Sequence, residues 1–289
     1  MTAALQTGAS EFSYTQDDFA AIARILYDET GIHLPPGKST LVYSRIAKRL
    51  RALHLESFRD YCALVSGGAG AEERSQMLTA LTTNVTRFFR EPHHFEHLKA
   101  KLLPPLLAAA RAGQKIRIWS AGCSSGQEPY SIALTLLSLL PDARAHDIRI
   151  LATDLNPHVI ATGRRGLYPA AEVADVPADL RHTWMDEVRR DGESHYQMDD
   201  AVRGLVTFRE LNLMGHWPMK GAFNAIFCRN VVIYFDEPTQ IRMWGRMVPL
   251  LAPQACLYIG HSERLAGPAQ ARLRLEGTTT YRLLPGSTS

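Results

Sequence analysis

The stretch Arg117-Ile-Trp-Ser-Ala-Gly-Cys-Ser-Ser-Gly-Gln-Glu-Pro-Tyr-Ser131 decides how the rest of this chain is read. Ile116, Ile118 and Trp119 read as a short buried strand. Gly122 and Gly126 bracket a turn, and Pro129 suits the first turn of a helix, where its missing N–H costs nothing. Residues 130–140 follow as an apolar helical run. Strand, glycine turn and helix are how a doubly wound α/β sheet opens a nucleotide site. The glycines let the backbone come close to a ligand. The spacing is not Gly-x-Gly-x-x-Gly and no Walker lysine follows, so a pyrophosphate is not the expected ligand. The bland alternative is a plain strand–helix turn.

The next strand favours the site. Residues 148–154, Ile-Arg-Ile-Leu-Ala-Thr-Asp, are apolar and end in an acid that can take both hydroxyls of a ribose. Asp154 lies farther from Gly126 than the roughly 20 residues of dinucleotide folds, a difference that a longer helix absorbs. A carboxylate also suits a ligand without phosphates, such as S-adenosylmethionine with its positive sulfonium.

With 289 residues the chain can hold one large domain or two ordinary ones, and 46% hydrophobic content supports a core. A net charge of +3 is too small to argue for nucleic acid. Cys62, Cys123, Cys228 and Cys256 show no Cys-x-x-Cys spacing, which argues for reduced thiols in a cytosolic protein and against a zinc ribbon. Cys123 reads as packing rather than nucleophile, and His93, His94 and His261 do not make a convincing metal set. The chain has no apolar run of about 18 residues to span a membrane. Residues 1–13 lack the order of a signal peptide and are expected to be disordered.

Four short helices precede the sheet. Thr15 to Asp18 is close to a capping box, the first helix carries Phe19, Ile22 and Ile25, and Gly31 stops it. In the second, Val42, Ile46, Leu50 and Leu53 share one face and Lys38, Arg45, Lys48 and Arg49 another, with Arg51 nearby. No acid interrupts this helix, so its charges are expected to be unpaired. The face is either a solvated surface or a docking surface for an acidic partner. Residues 81–92 join the helices to a long helix expected over 91–112, and such a junction is a common place for a ligand. Later strands are expected over 205–210, 224–228, 255–260, 272–276 and 279–284. A small antiparallel hairpin is expected around the turn 189–194. The four strand ends then supply residues 122–128, Asp154, Asn212 and Asn230 to one edge. Asn212 offers a donor and an acceptor, as an adenine edge needs, although both asparagines could simply form turns.

Residues 83–90 (Thr-Asn-Val-Thr-Arg-Phe-Phe-Arg), 120–131, 227–236 (Phe-Cys-Arg-Asn-Val-Val-Ile-Tyr-Phe-Asp) and 260–263 (Gly-His-Ser-Glu) together resemble the chemotaxis receptor methyltransferases, the CheR family. The resemblance covers about residues 19–284. It implies an α/β fold class: a small all-helical N-terminal domain (12–82), a linker (83–94) and a Rossmann-like S-adenosylmethionine-dependent methyltransferase domain (95–285). A β-subdomain is inserted at about 180–204. It implies methyl transfer from S-adenosylmethionine to glutamate side chains of chemoreceptor cytoplasmic helices, leaving S-adenosylhomocysteine, in a cytoplasmic enzyme associated with receptor arrays. Carried over by motif, the cofactor positions are Asn84, Thr86, Arg90, Glu128, Asp154, Asn212, Leu213, Asn230 and Val231. Glu128 would lie near the cofactor ammonium. Arg90 would pair with the methionyl carboxylate or with the incoming glutamate.

A glutamate is already ionised at neutral pH, so no general base is required. Orientation and a dry pocket must do the catalysis, with Phe89 and Tyr234 as candidate walls and Tyr234 and Arg90 as candidate catalytic groups. Substrate docking is assigned to Arg45, Lys48, Arg49 and Arg51. Family members that tether to a receptor pentapeptide have a glycine-rich loop in the β-subdomain. Here the turn has only Gly192, and the expectation is docking without a tether. A monomer without metal, nucleic acid or membrane insertion completes the expectation. The rivals are a small-molecule methyltransferase on the same fold, which would not need the basic helix, and a cofactor-sensing adaptor without activity. A dehydrogenase is more distant, for want of the dinucleotide fingerprint.

Overall fold

In the computed structural model, residues 11–82 and 84–286 are described; the disorder expected of residues 1–13 lies outside them for 1–10 and is overturned for 11–13, where Glu11 pairs with Arg51 and Phe12 is buried, its N–H donating to the Tyr43 hydroxyl at 3.3 Å. The chain divides into two compact units.

The first unit is helical. Helix α1 (Gln16–Thr30) starts on a true capping box: Thr15 Oγ1 accepts the Asp18 N–H at 3.2 Å and Asp18 Oδ2 accepts the Thr15 N–H at 2.9 Å. It buries Phe19, Ile22 and Leu26 and stops at Gly31, whose φ of 71° suits glycine. Helix α2 (Ser39–Leu53) buries Val42, Ile46 and Leu50. Helices α3 (Phe58–Ser66) and α4 (Ala71–Leu81) complete the core with Phe58, Tyr61 and Met77. Tyr234–Asp236, far along the chain, also belongs to this unit. Ile32 pairs with Phe235 as an antiparallel bridge, the His33 N–H donates to the Tyr234 carbonyl at 2.8 Å, and the Tyr27 hydroxyl donates to Asp236 Oδ2 at 2.8 Å.

The second unit is α/β. Helices α5 (His93–His97) and α6 (Leu103–Arg111) flank a wider π turn, Leu98–Leu102, where one continuous helix is expected from the sequence. Pro104 and Pro105 supply no N–H to the turn before them, and the wider turn accommodates this. The elements then run β1 (Ile116–Ala121), α7 (Gln127–Leu137), β2 (Ile148–Asp154), α8 (Pro157–Arg165), β3 (Leu167–Pro169), α9 (Ala178–Trp184), β4 (Met185–Arg190), β5 (Glu193–Met198), α10 (Asp200–Arg203), β6 (Val206–Glu210), β7 (Phe223–Cys228), α11 (Glu237–Met247), β8 (Leu251–Ile259), β9 (Leu273–Gly277) and β10 (Thr280–Leu283).

Seven strands form one sheet in the order β6-β2-β1-β7-β8-β10-β9. The five strands from β6 to β8 are parallel, with Ile118 level with Ile150 on one side and Ala225 on the other. β10 and β9 close the sheet antiparallel. Ile118, Ile132, Leu136, Ile150 and Phe227 are fully buried in its core. The carboxyl ends of β6, β2, β1 and β7 therefore share one edge. The expected hairpin is β4–β5, and β3 joins it to make a three-stranded antiparallel sheet. Among the described residues, no helix is long and apolar enough to cross a membrane.

Candidate functional site

The turn after β1 is built around a glycine that any side chain would strain. Gly122 has φ of 78°, and a Cβ there would lie 2.3 Å from Val231 Cγ2. Gly126, at φ 100°, would press on the Tyr168 hydroxyl at 2.8 Å. The turn is held from β2: Gly122 and Cys123 N–H groups donate to the Thr153 carbonyl at 2.8 Å. Asp154 Oδ2 accepts the Ser124 N–H at 2.8 Å, and Oδ1 accepts the Asn156 N–H at 3.0 Å. The Leu155 N–H also bonds this carboxylate, and its remaining acceptor capacity is open to a ligand hydroxyl. Burial pushes the Asp154 carboxyl above the usual carboxylate range against these hydrogen bonds.

Glu128, in the first turn of α7, accepts the Ser120 hydroxyl at 2.7 Å and the Arg229 guanidinium at 3.0 Å. Burial raises its pKa although Arg229 and Ser120 oppose the rise. A further cation against Glu128 would offset that desolvation, so a ligand ammonium fits here. Arg229 is buried, its side chain 2% exposed, and also faces Glu91 at 3.3 Å and donates to the Arg90 carbonyl. Glu91 is opposed by burial, yet Arg229 and His261 outweigh it and hold the carboxyl down at about 2.

Behind β7 the chain is pinned by one carboxylate. Glu263 is 2% exposed. Its Oε1 accepts the Val231 and Val232 N–H groups, each at 2.8 Å. Its Oε2 accepts those of Asn230 at 3.0 Å and Gly260 at 2.5 Å. This clamp holds Asn230 at φ 58° and presses Val231 against Gly122.

Of the expected cofactor positions, Asp154, Asn212 and Asn230 follow β2, β6 and β7, Glu128 opens α7, and Asn84 touches the turn after β1. The Asn84 carbonyl accepts the Ser124 hydroxyl at 2.8 Å, and Arg90 donates to the Val85 carbonyl at 3.1 Å. Thr86 lies between them in sequence and is partly buried. Asn212 follows β6, and its Oδ1 accepts the Met214 N–H at 2.8 Å, so it does form a turn. The Leu213 carbonyl accepts from Trp217 at 3.1 Å and Arg246 at 2.7 Å. Tyr234 belongs to the compact unit of the helices, where its carbonyl accepts the His33 N–H at 2.8 Å. The sequence reading missed Arg229 and Glu263 as organisers. Glu263 had a signal, an acid closely following strand β8; Arg229 had only its place beside Asn230.

The basic face of α2 requires a correction. Its arginines have partners. Arg45 donates to the Ala80, Leu81 and Thr82 carbonyls at 3.2, 2.9 and 2.8 Å, where the C-terminal carbonyls of α4 lack helical donors. Arg49 forms a two-bond pair with Glu73 at 2.9 and 2.6 Å, and Glu73 also accepts the Tyr61 hydroxyl at 2.8 Å. Arg51 pairs with Glu11 at 2.6 Å in an exposed position. Partners from other elements, not from α2, do the pairing. Lys38 and Lys48 remain exposed.

Known proteins resemble this chain over most of its length. Residues 84–282 match the family described as CheR methyltransferase, SAM binding domain, and residues 17–82 match CheR methyltransferase, all-alpha domain. A probable chemotaxis protein methyltransferase of Rhizobium etli is 53% identical over 258 residues, 89% of this chain and 96% of the relative. Chemotaxis protein methyltransferase 2 of Pseudomonas aeruginosa is 41% identical, covering 95% of both chains. The chemotaxis protein methyltransferase of Escherichia coli is 38% identical, covering 92% of this chain and 90% of the relative. The chain is an S-adenosylmethionine-dependent methyltransferase and belongs to the CheR methyltransferase family.

Proposed function

We propose that the enzyme methylates glutamate side chains on the cytoplasmic helices of chemoreceptors, giving methyl esters for sensory adaptation and S-adenosylhomocysteine as the second product. The observation that carries this reading is a pair of half-buried carboxylates at the glycine turn: Glu128 in the first turn of α7, and Asp154, whose Oδ2 accepts the Ser124 N–H at 2.8 Å. When bound, S-adenosylmethionine supplies an electrophilic methyl on a positive sulfur. Asp154 would accept the ribose hydroxyls and Glu128 would face the ammonium. Asn84, Thr86, Arg90, Asn212, Leu213, Asn230 and Val231 complete the cofactor set in this reading. Arg90 holds either the methionyl carboxylate or the incoming glutamate, and Tyr234 orients that glutamate. The substrate carboxylate is ionised at neutral pH, so the protein need only orient it and exclude water.

For docking, Arg45, Lys48, Arg49 and Arg51 remain the assigned residues, now with unequal weight. Lys48 is exposed and Arg51 is held only by an exposed pair, whereas Arg45 and Arg49 also brace the helical unit. Docking without a pentapeptide tether, a monomeric state and a cytoplasmic place beside receptor arrays belong to the same reading. Incubation with radiolabelled S-adenosylmethionine and receptor-bearing membranes tests it. Label in the receptor, released as methanol by base, is the expected result. Label absent from receptor at saturating cofactor would sink the reading, and loss of labelling on removing the receptor's terminal pentapeptide would overturn the untethered docking.

A further inference from the structure

Among the described residues, three large apolar side chains are exposed: Val85 at 79%, Ile233 at 44% and Leu275 at 61%. Two of the three lie within two residues of groups that touch the same glycine turn. Val85 directly follows Asn84, whose carbonyl is bonded by Ser124 at 2.8 Å. Ile233 comes two residues after Val231, which packs against Gly122. Gly122 and Ser124 both belong to the turn between β1 and α7. The backbone at both places is fixed, by Arg90 on the Val85 carbonyl at 3.1 Å and by Glu263 on the Val232 N–H at 2.8 Å. Bare apolar side chains on a held backbone, beside a reaction centre, are the mark of a surface that something covers.

The charge nearby says what kind of partner. Arg87, two residues from Val85, has a side chain 60% exposed and only an exposed pair with Asp175 at 3.1 Å. Such a pair is weak and readily exchanged for another carboxylate. An amphipathic helix offers residues three and four places to either side of a glutamate on one face. Apolar residues at those places would cover the turn's two flanks while the glutamate points between them.

We propose that Val85 and Ile233 form an apolar rim that grips an acidic amphipathic helix of the protein substrate, with Arg87 meeting its carboxylates. This rests on the reading of a helical glutamate substrate given above. A small-molecule substrate would leave both side chains bare.

The test uses the full chain, labelled S-adenosylmethionine and receptor-bearing membranes. The double variant Val85→Ser with Ile233→Ser should raise the apparent KM for receptor by about tenfold. Its kcat should hold, and its cofactor affinity by calorimetry should stay within about twofold. Apolar contacts are not screened, so the rise should persist at high salt. Val85→Ile with Ile233→Val should restore the wild-type KM. An unchanged KM in the serine double variant, with active wild type, overturns the rim alone. Weakened cofactor binding in that variant also overturns it, by giving both residues a role in holding the turn. A wild type that leaves receptor unlabelled overturns the functional reading and the rim together.

Discussion

Two arginines in this molecule carry the same charge and face opposite circumstances. Arg229 is sealed from water between Glu128 and Glu91 and beside the Phe95 ring, its guanidinium 5.7 Å from the ring centre. Arg51, on α2, is half exposed against a half-exposed Glu11. Removing a partner from a buried pair strands a charge in low dielectric, whereas water replaces a lost surface partner almost without cost. Arg49 stands between the two, its Glu73 partner 9% exposed and shared with Tyr61. Charge in a sequence therefore says little until burial is known.

The largest effect should come from breaking the buried set. Arg229→Ala leaves Glu128 and Glu91 without their cation and should cost about 3–5 kcal/mol of folding stability in urea denaturation. A loss as small as that of an exposed pair would erase the contrast. Next is the ligand side of the same edge. Asp154→Ala should weaken S-adenosylmethionine binding by about 1.5–3 kcal/mol, read by calorimetry, as for a hydrogen bond to a charged group. Unchanged affinity would remove Asp154 from the proposed site.

Acid should sharpen the comparison further. His94 is fully buried beside Arg229 and its Nε2 lies 2.9 Å from Thr279 Oγ1. Burial, then the charges of Arg229 and His93, lower its pKa from 6.5 to about 3. The unfolded chain thus binds a proton near pH 6.5 that the folded chain refuses, and stability should fall as pH drops from 6.5 towards 3. Glu91 adds to this lower down: its folded pKa of about 2 lies below the ordinary 4.5, so its contribution is lost as pH falls through that interval. His94→Phe should flatten the upper part of a stability–pH curve measured by thermal unfolding. A curve as steep as the wild type's would assign the acid sensitivity elsewhere.

The smallest effect on stability is expected at the exposed lysines. Lys38→Glu with Lys48→Glu should change stability by no more than about 0.5 kcal/mol. It should raise the receptor KM at low salt and lose that effect at high salt. Arg49→Glu would be a poor probe of docking, because it sets a carboxylate against Glu73 and disturbs the fold. An indifferent KM in the double lysine variant at low salt would leave α2 as a solvated face.

Much of the α/β frame was legible because hydrophobic runs and glycine turns are local signals. The strand before Gly122, the acid ending β2 and the capping box at Thr15 each rest on neighbouring residues alone. What was hidden depends on distant partners. Nothing within α2 announces that Glu73 and Glu11 will meet its arginines. Arg229 reads as any charged residue until β7 carries it inside, and the place of Glu263 just after β8 does not foretell the four N–H groups that converge on it. β3 escaped notice because three residues ending in Pro169 have too little pattern to read as a strand. The π turn before Pro104 likewise lies inside a segment whose leucines keep a helical spacing throughout.

The return of Tyr234–Asp236 to the helical unit has a consequence for synthesis on the ribosome. Tyr27 and its partner Asp236 are separated by 209 positions. The four helices can form early, but the bridge at Ile32 must wait until Phe235 has left the exit tunnel. At bacterial or eukaryotic elongation rates, the chain between them takes roughly ten to forty seconds to make. During that interval the nascent helical unit lacks its final strand partner, and a fragment ending at residue 82 would lack it permanently.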